Sequence, residues 1–147
     1  MKFSMQNDNR PTWDMIWMDV ASAISKRSYD PRFQVGSVIV TSDNTQVLAV
    51  GYNGNYAGGP NAVESHQPGE SGFIHAEINS LLKMDYNNPK SKKMYLTLSP
   101  CKMCAKAIIN AGINEVIYKE QYRDTTGVEL LREQNVSVRQ YDSSSTV

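Results

Sequence analysis

Apolar residues recur at two different spacings in the first third of the chain. From Thr12 to Arg27 they return every three or four positions, which predicts an amphipathic helix with Thr12 as its N-cap. Two β-branched runs follow, VGSVIV (35–40) and QVLAVGY (46–52), on either side of the turn-rich segment SDNT. This arrangement predicts an antiparallel β-hairpin.

The rest of the chain alternates between helical and strand patterns. Helical patterns occupy residues 73–84, 101–112 and 126–134, and strand patterns occupy residues 94–99, 114–118 and 136–141. Gly112 is expected to close the second of these helices as a C-terminal cap. The alternation after an opening hairpin predicts a three-layer α/β/α domain with a mixed five-stranded sheet and helices on both faces.

The two ends of the chain are polar and lack this periodicity. Residues 1–11 are predicted to be a flexible N-terminal arm and residues 142–147 a flexible tail. A single domain is therefore expected over residues 12–141. The length of 147 residues and the 40% apolar content suit one hydrophobic core.

The balance of charge argues against two classes of partner. Fifteen basic residues offset 15 acidic ones, so we expect no electrostatic footprint for nucleic acid and none for an anionic membrane. No segment has the roughly 20 apolar residues of a membrane span, and the N-terminus lacks the apolar run of an export signal. The sequence predicts a cytoplasmic protein whose ligand is a small molecule.

The only two cysteines, Cys101 and Cys104, stand three positions apart in the segment SPCKMC. With Ser99 as a helix cap and Pro100 in the first turn, both thiols are expected on one helix face, where the helix dipole lowers their pKa. In a reducing compartment such a pair indicates metal ligands or a redox pair more often than a structural disulfide.

Two thiolates leave a zinc shell incomplete, and the chain has two histidines. His75 opens a predicted helix just before the strand that leads to Cys101, so the two helix starts are expected to meet, whereas His66 lies in a loop without a nearby cysteine. Ligation by His75, Cys101 and Cys104 leaves one position for water, which is the stoichiometry of a catalytic zinc. Glu77 is the candidate base for that water.

The order H-x-E and then P-C-x-x-C occurs here as HAE at 75–77 and PCKMC at 100–104. That combination is the signature of zinc-dependent nucleobase deaminases. Alone, C-x-x-C also suits a thioredoxin-like redox pair, and H-x-E alone is usually a solvated helix face. The joint pattern favours a catalytic zinc centre.

With these motifs and the segments KRSYDPRFQVGSVIV, GYNGNYAGGPN, IHAEINSLL and MYLTLSPCKMCAKAIINAGINEVIY, the chain resembles the cytidine deaminase superfamily. Within it, residues 13–141 are most similar to the deoxycytidylate (dCMP) deaminases. The resemblance implies hydrolysis of the 4-amino group of dCMP to give dUMP and ammonia, which supplies thymidylate synthesis. It implies Zn²⁺ on His75, Cys101 and Cys104, with Glu77 carrying the proton from water to N3 and to the leaving amine.

The resemblance also implies residues that bind substrate. Arg27 and Ser28 match positions near the expected 5′-phosphate, Asn53 matches an asparagine that contacts the nucleoside, and Tyr122 lies where relatives close the pocket. Each residue also has a structural interpretation. Arg27 can interact with a helix end or a surface acid, Asn53 beside Gly54 suits a turn, and Tyr122 suits the edge of a core.

Regulation is a further implication of the resemblance, because members of this family are commonly hexamers that dCTP with Mg²⁺ activates and dTTP inhibits. The glycine-rich loop GYNGNYAGGPN is the expected approach for the regulatory nucleotide. An ordinary flexible loop is the alternative. The candidate contacts are Asn55, Gly58, Gly59 and Asn61.

The number of zinc ions is predicted from a departure from the family pattern. Several relatives carry extra cysteines and a histidine ahead of the HAE motif for a second, structural zinc. The corresponding segment here, NAVESHQPGESGF, offers only His66. One zinc per chain is therefore predicted.

Two other functions stay open from the sequence. A related deaminase acting on tRNA adenosine, free cytidine or guanine would share the motif, although a tRNA enzyme would gain from a basic surface. A zinc-stabilised nucleotide-binding module without turnover would be expected to close its tetrahedron with a fourth protein ligand, for which His66 is only loosely placed.

Overall fold

A computed structural model describes residues 9–143, so most of the predicted N-terminal arm and tail, residues 1–8 and 144–147, lies outside it. The nine helices and strands of this range have the types and the order that the sequence predicts. They are α1 (Trp13–Ser25), β1 (Gly36–Thr41), β2 (Val47–Tyr52), α2 (Ala76–Lys83), β3 (Lys92–Leu98), α3 (Lys102–Asn110), β4 (Glu115–Glu120), α4 (Thr126–Glu133) and β5 (Ser137–Gln140). Of these four helices, none has the length and apolar character needed to cross a bilayer.

The five strands form one mixed sheet in the order β2-β1-β3-β4-β5. Strand β1 runs antiparallel to β2 and to β3, whereas β3, β4 and β5 are parallel to one another. The carboxyl ends of β3 and β4 therefore lie at the same edge of the sheet. Ligands of open α/β sheets bind outside such carboxyl ends, and the PCKMC motif directly follows β3.

Helices cover both faces of the sheet, which confirms the predicted three layers. On one face Val38 and Val40 pack with Met18 of α1, and on the other Ile39 shares a core with Leu131 of α4 and with residues of α2 and α3. All six residues of β1 are buried as a result. A strand enclosed on both faces has a nearly continuous apolar run in its sequence, and VGSVIV is interrupted only at Ser37, whose hydroxyl is hydrogen-bonded to that of Ser80 at 2.9 Å.

The predicted N-cap of α1 is confirmed, because Oγ1 of Thr12 accepts a hydrogen bond from the N–H of Met15 at 3.1 Å. Asp14 lies in the first turn of that helix. The helix ends at Ser25, two residues before the predicted end, and Lys26 is its C-cap.

Helix α2 begins three residues later than predicted. The backbone of Ile74 forms an antiparallel bridge with Gly54, with N···O distances of 2.7 and 3.0 Å. Those backbone groups are engaged across the loop and are not available to a helix. His75 consequently becomes the N-cap of α2, in an extended conformation with φ −67° and ψ 153°.

The prediction that Ser99 caps α3 and that Pro100 lies in its first turn is wrong. The N-cap is Cys101, whose Sγ accepts a hydrogen bond from the N–H of Cys104 at 3.4 Å. The hydroxyl of Ser99 instead accepts the N–H of Tyr122 at 2.7 Å, because the segment after β4 passes beside it. At the other end of α3, Gly112 has φ +79°, as expected for a glycine that closes a helix.

Candidate active site

Three side chains that can bind a metal converge where the start of α2 faces the start of α3. Nδ1 of His75 lies 3.2 Å from Sγ of Cys104 and 3.6 Å from Sγ of Cys101. All three ligand atoms lie within 4.8 Å of one another, and residues 9–143 contain no second group of this kind. Ligand atoms around a tetrahedral Zn²⁺ are about 3.5–4 Å apart, so these residues fit one zinc ion.

The starts of the two helices explain this convergence. As N-caps, His75 and Cys101 have extended backbones, so neither side chain follows the rotation of the helix behind it. Cys104 lies in the first turn of α3 and is buried. The positive ends of two helix dipoles therefore meet at the cluster, where they favour thiolates.

The two thiols differ in their affinity for a proton. A hydrogen bond from the thiol of Cys104, assisted by the imidazole of His75, lowers the pKa of Cys101 to about 4. The same hydrogen bond, together with burial and the nearby Glu77 carboxylate, raises the pKa of Cys104. In the absence of metal the hydrogen-bonded pair therefore keeps one proton between its two sulfurs. Zinc binding requires both as thiolates and therefore releases a proton.

Glu77, in the first turn of α2, is a buried carboxyl group that is 4% exposed. Burial raises its pKa to about 7, and the opposing effects of its own backbone N–H and of His75 are smaller. A carboxyl group that titrates near neutral pH can both accept and donate a proton. Because His75 precedes the helix, it and Glu77 line the same cleft despite their spacing of two residues.

The buried carboxyl group should make the metal-free protein less stable as pH rises. Since burial raises the pKa of Glu77 from 4.5 to about 7, the folded chain holds a proton that the unfolded chain has released. The resulting stability is present below about pH 4.5 and is lost as pH rises through 7, by roughly 3 kcal/mol. Glu77→Gln stays neutral, so it should match the wild type at pH 4 and exceed it at pH 8.

Urea unfolding of both proteins at the two pH values, with a chelator present, measures this difference. The exposed carboxylate variant Glu133→Gln should follow the wild type at both values. A wild-type chain as stable as Glu77→Gln at pH 8 would contradict the predicted cost of the buried charge.

A cleft of about 730 Å³ opens beside the cluster and is lined in part by His75, Glu77 and Cys101. Its volume lies within the range of small-molecule sites. Phe33 and Tyr122 stand at this cleft in edge-to-face contact, with ring centroids 5.9 Å apart. The metal cluster therefore faces a space that is large enough for a nucleotide and has aromatic walls.

Asn53 and Tyr122, two of the predicted substrate residues, also line this cleft, but Arg27 and Ser28 do not. Ser28 is buried, and its hydroxyl accepts a hydrogen bond from the N–H of Asp30 at 3.1 Å. Arg27 is exposed in the turn that follows α1. Arg27 and Ser28 are therefore not part of the wall of this cleft, and their role in substrate binding stays a prediction.

Asn53 holds the segment that follows Ser28. Its Oδ1 accepts the N–H of Val35 at 2.9 Å, and its Nδ2 donates to the carbonyl of Phe33 at 2.8 Å and to Oδ2 of Asp30 at 3.3 Å. Both amide hydrogens are engaged by the protein. The contact that the structure shows for Asn53 is therefore with the wall of the cleft.

The cleft also contains two arginines that the sequence motifs do not identify. Arg32 and Arg123 both line it. Within residues 9–143 neither guanidinium forms a hydrogen bond or an ion pair, although that of Arg123 lies 5.6 Å from the ring of Tyr122. Arg32 follows the predicted helix break at Asp30-Pro31, and Arg123 lies just after the end of β4. These positions in loops next to the sheet were the available sequence signal for a role in ligand binding. His66, which the sequence left without a role, lines the cleft as well.

The four predicted regulatory residues gather at a second and smaller cavity of about 130 Å³. Its lining residues include Tyr29, Tyr52 and Tyr56, and no lysine or arginine is among them. Gly58 has φ +84°, and a Cβ at Gly59 would meet the Tyr56 ring at 2.9 Å. The remaining predicted residues at this cavity are Asn55 and Asn61.

An α/β/α domain with one imidazole and two thiols beside a buried carboxyl group has the arrangement of a single-zinc hydrolase. Comparison with known proteins gives the same class. The family model described as "Cytidine and deoxycytidylate deaminase zinc-binding region" matches residues 11–120. The chain belongs to this family of zinc-binding deaminases, and its fold is cytidine deaminase-like.

Individual relatives agree with this assignment. The deoxycytidylate deaminase of Homo sapiens is 36% identical, with 82% of this chain and 72% of that protein covered. The deoxycytidylate deaminase of Mycobacterium phage D29 is 32% identical, with 77% and 98% covered. The dCMP deaminase of cyanophage S-TIM5, solved in complex with dCMP and dUMP, is 31% identical with a TM-score of 0.78, covering 90% of this chain and 98% of that one.

Proposed function

We propose that this chain catalyses the zinc-dependent hydrolysis of dCMP to dUMP and ammonia. The convergence of His75, Cys101 and Cys104 within 4.8 Å, beside a cleft that Glu77 also lines, is the observation that carries the proposal. Membership of the deaminase family supports the reaction. The naming of the human and phage relatives as deoxycytidylate deaminases supports the substrate.

His75, Cys101 and Cys104 would hold the zinc ion. A zinc ion held by these three residues would supply Lewis acidity and would lower the pKa of a water molecule. Because two of the three residues are thiolates that balance the charge of the ion, that water would be acidified less than at an all-histidine site. A protein base is therefore needed beside the cluster, and Glu77 is the carboxylate in that position.

Glu77 moves the protons of the reaction. Its carboxylate accepts a proton from the water whose oxygen bonds to C4 of the base, and it delivers that proton to N3. A second transfer through the same carboxyl group carries the hydroxyl proton to the 4-amino group, so the C–N bond breaks and neutral ammonia leaves. The raised pKa of Glu77, about 7, suits a group that must accept and donate in turn.

The other end of the substrate would meet positive charge. Arg32 and Arg123 both line the cleft and have no ion-pair partner within residues 9–143. Guanidinium groups bind phosphate through paired hydrogen bonds. Asp30 also lines the cleft, and its Oδ1 accepts the backbone N–H groups of Arg32 and Phe33 at 2.7 and 3.1 Å. This arrangement favours a nucleoside monophosphate over a free nucleoside.

The proposed substrate can be tested by incubating purified protein of known zinc content with dCMP, CMP, deoxycytidine and adenosine and measuring the ammonia released. We expect dCMP to be the best of the four. A preference for adenosine or deoxycytidine would assign the chain to another member of the family. Protein that holds zinc and binds dCMP but releases no ammonia would instead be a binding module.

Replacing either cleft arginine should impair dCMP turnover selectively. Arg32→Ala and Arg123→Ala are each expected to lower kcat/KM for dCMP by about 10- to 100-fold, the usual worth of a hydrogen bond to a charged group. Turnover of deoxycytidine, which has no phosphate, should change little. Steady-state kinetics on both substrates measures the difference.

Two further variants sharpen this comparison. Lys106→Ala removes an exposed positive charge from α3, away from the cleft, and should leave both substrates unaffected. Arg27→Ala tests the phosphate site predicted from the sequence. A selective dCMP loss in Arg27→Ala, with none in the two cleft variants, would move the phosphate site to the turn after α1.

Regulation by dCTP with Mg²⁺ as activator and dTTP as inhibitor, in the service of thymidylate synthesis, is also proposed. The clustering of Asn55, Gly58, Gly59 and Asn61 at one small cavity supports it. Since that cavity contains no lysine or arginine among its lining residues, Mg²⁺ would supply the charge that offsets a triphosphate. Saturation curves for dCMP that neither nucleotide shifts would contradict this regulation.

We also propose that the chain assembles into a hexamer and acts in the cytoplasm. Leu82 on α2 and Tyr86 just beyond it are 72% and 56% exposed, so apolar surface is available for contact between subunits. Sedimentation velocity at several protein concentrations measures the assembly. A monomer at all of them would contradict the hexamer and leave the proposed chemistry unaffected.

A further inference from the structure

Gly127, in the first turn of α4, lies against the backbone of a proposed metal ligand. A Cβ at this position would stand 2.2 Å from the carbonyl oxygen of Pro100 and 2.8 Å from both the carbonyl carbon and oxygen of Cys101. These distances are shorter than real Cβ contacts allow. Because all three neighbours are backbone atoms, no side-chain rotation can relieve the overlap.

The absence of a side chain at Gly127 has no conformational explanation. Its φ is not in the positive region that favours glycine, unlike the φ of Gly112. Glycine within a helix costs about 1 kcal/mol relative to alanine. The close approach to the carbonyl groups of Pro100 and Cys101 is therefore the feature of this site that requires glycine.

A shift of the Cys101 backbone would disturb the whole cluster. Its carbonyl accepts the N–H of Ala105 at 2.9 Å in the first turn of α3, and its Sγ accepts the N–H of Cys104 at 3.4 Å. The same Sγ lies 3.6 Å from Nδ1 of His75. A movement of this residue would therefore change the distance from its own Sγ to the imidazole and disturb the first turn of α3, which contains Cys104.

Helix α4 cannot easily retreat to accommodate an added atom. Val128 and Leu131 on its inner face are buried in the same core as Ala105 and Ile108 of α3. Moving α4 outward would open a cavity in that core, whereas moving the start of α3 would displace the ligand. An added methyl group must therefore either displace Cys101 or expand the core. Because packed cores resist expansion, displacement of Cys101 is the expected result.

We propose that Gly127 is a positioning residue for the metal centre, which sets the place of Cys101 and thereby the zinc affinity of the chain. This inference rests on the proposed role of Cys101 as a zinc ligand. Helix α4 contains none of the residues that line the cleft. Under this proposal it nevertheless helps to fix the distances among the three metal ligands. Geometric changes around metal ligands commonly alter metal affinity by about 10- to 100-fold.

The test is the zinc affinity of the full-length Gly127→Ala protein, measured without substrate by competition with a chromophoric chelator. We expect binding at least about tenfold weaker than in the wild type. The thiolate-to-Co²⁺ absorption band of the cobalt-loaded protein should also shift or lose intensity. A folded Gly127→Ala protein with wild-type zinc affinity and an unchanged cobalt spectrum would overturn the inference.

Two other glycines provide matched controls. A Cβ at Gly54 would meet its nearest neighbour at 3.6 Å, so Gly54→Ala should bind zinc as the wild type does. A Cβ at Gly36 would stand 1.9 Å from the carbonyl of Ala21 in α1. Gly36→Ala should therefore lower Tm without weakening zinc binding in the protein that folds. Equal loss of zinc affinity in Gly36→Ala and Gly127→Ala would show that the loss comes from general instability of the fold. That result would overturn the inference.

If Gly127→Ala does not fold, a truncation in the core answers the same question. Leu131→Ala loosens α4 without adding an atom, and Met18→Ala makes a comparable cavity under α1 on the opposite face. Zinc affinity should fall more in Leu131→Ala at a similar loss of Tm, and equal affinities would overturn the inference. A wild-type chain that binds zinc but does not deaminate dCMP would refute the proposed function and leave this inference standing.

Discussion

Glu77→Gln should reduce dCMP deamination by about 10²- to 10⁴-fold, the usual contribution of a positioned acid–base group. The amide has nearly the same shape and fills the same buried place, but it cannot accept the proton of water or deliver one to N3. Zinc content should not change, because the carboxyl group is not one of the three clustered ligands. Ammonia release and metal content, measured on the same preparation, test both expectations.

A control variant and two alternative results test the role of Glu77. Glu133→Gln makes the same chemical change on an exposed residue of α4 and should retain full activity. A Glu77→Gln enzyme with near wild-type turnover would remove this residue from the proton transfers. Loss of zinc in Glu77→Gln would instead indicate that the carboxyl group helps to hold the metal.

Cys104→Ser should lose zinc and, with it, deaminase activity. The hydroxyl of serine is a much poorer zinc ligand than a thiolate, and Cys104 is buried at the centre of the cluster, 3.2 Å from Nδ1 of His75. Affinity should fall by more than the roughly 10- to 100-fold that is typical for changes outside the ligand shell. Metal analysis of the purified protein after dialysis measures the loss.

Met103→Ser provides the matched control for that change, since it introduces the same residue one position earlier on the same helix. Met103 is 69% exposed, so its replacement should preserve both zinc and turnover. Stoichiometric zinc in Cys104→Ser would exclude this thiol from the ligand set. Zinc loss in both variants would point to disruption of α3 and not to a missing ligand.

The fold could be predicted because its signals are local. Helical and strand periodicities follow directly from which faces are buried, and β1 is readable as VGSVIV because both of its faces are covered. The start of α2 was misplaced by three residues, since the bridge between Ile74 and Gly54 joins positions 20 apart in the chain. Periodicity within a segment has no information about such a pairing.

The residues of the candidate site likewise fall into two groups: those that a local motif identifies and those that only long-range contacts bring together. HAE and PCKMC are short motifs whose spacing alone identifies His75, Glu77 and the two cysteines. Arg32 and Arg123 were missed because their meeting in one cleft depends on the adjacent carboxyl ends of β3 and β4 and on the segment that Asn53 holds. The cap of α3 was misassigned for a similar reason, because the hydroxyl of Ser99 accepts the N–H of Tyr122 from the segment after β4.

The cluster joins residues that are 26 and 29 positions apart, on helices separated by the whole of β3. The preformed cluster therefore exists only where the segment that contains β3 has brought the starts of α2 and α3 side by side. Zinc should consequently stabilise completed domains over unfolded chains. The visible colour of a cobalt-substituted sample would report that these two helix starts have come together.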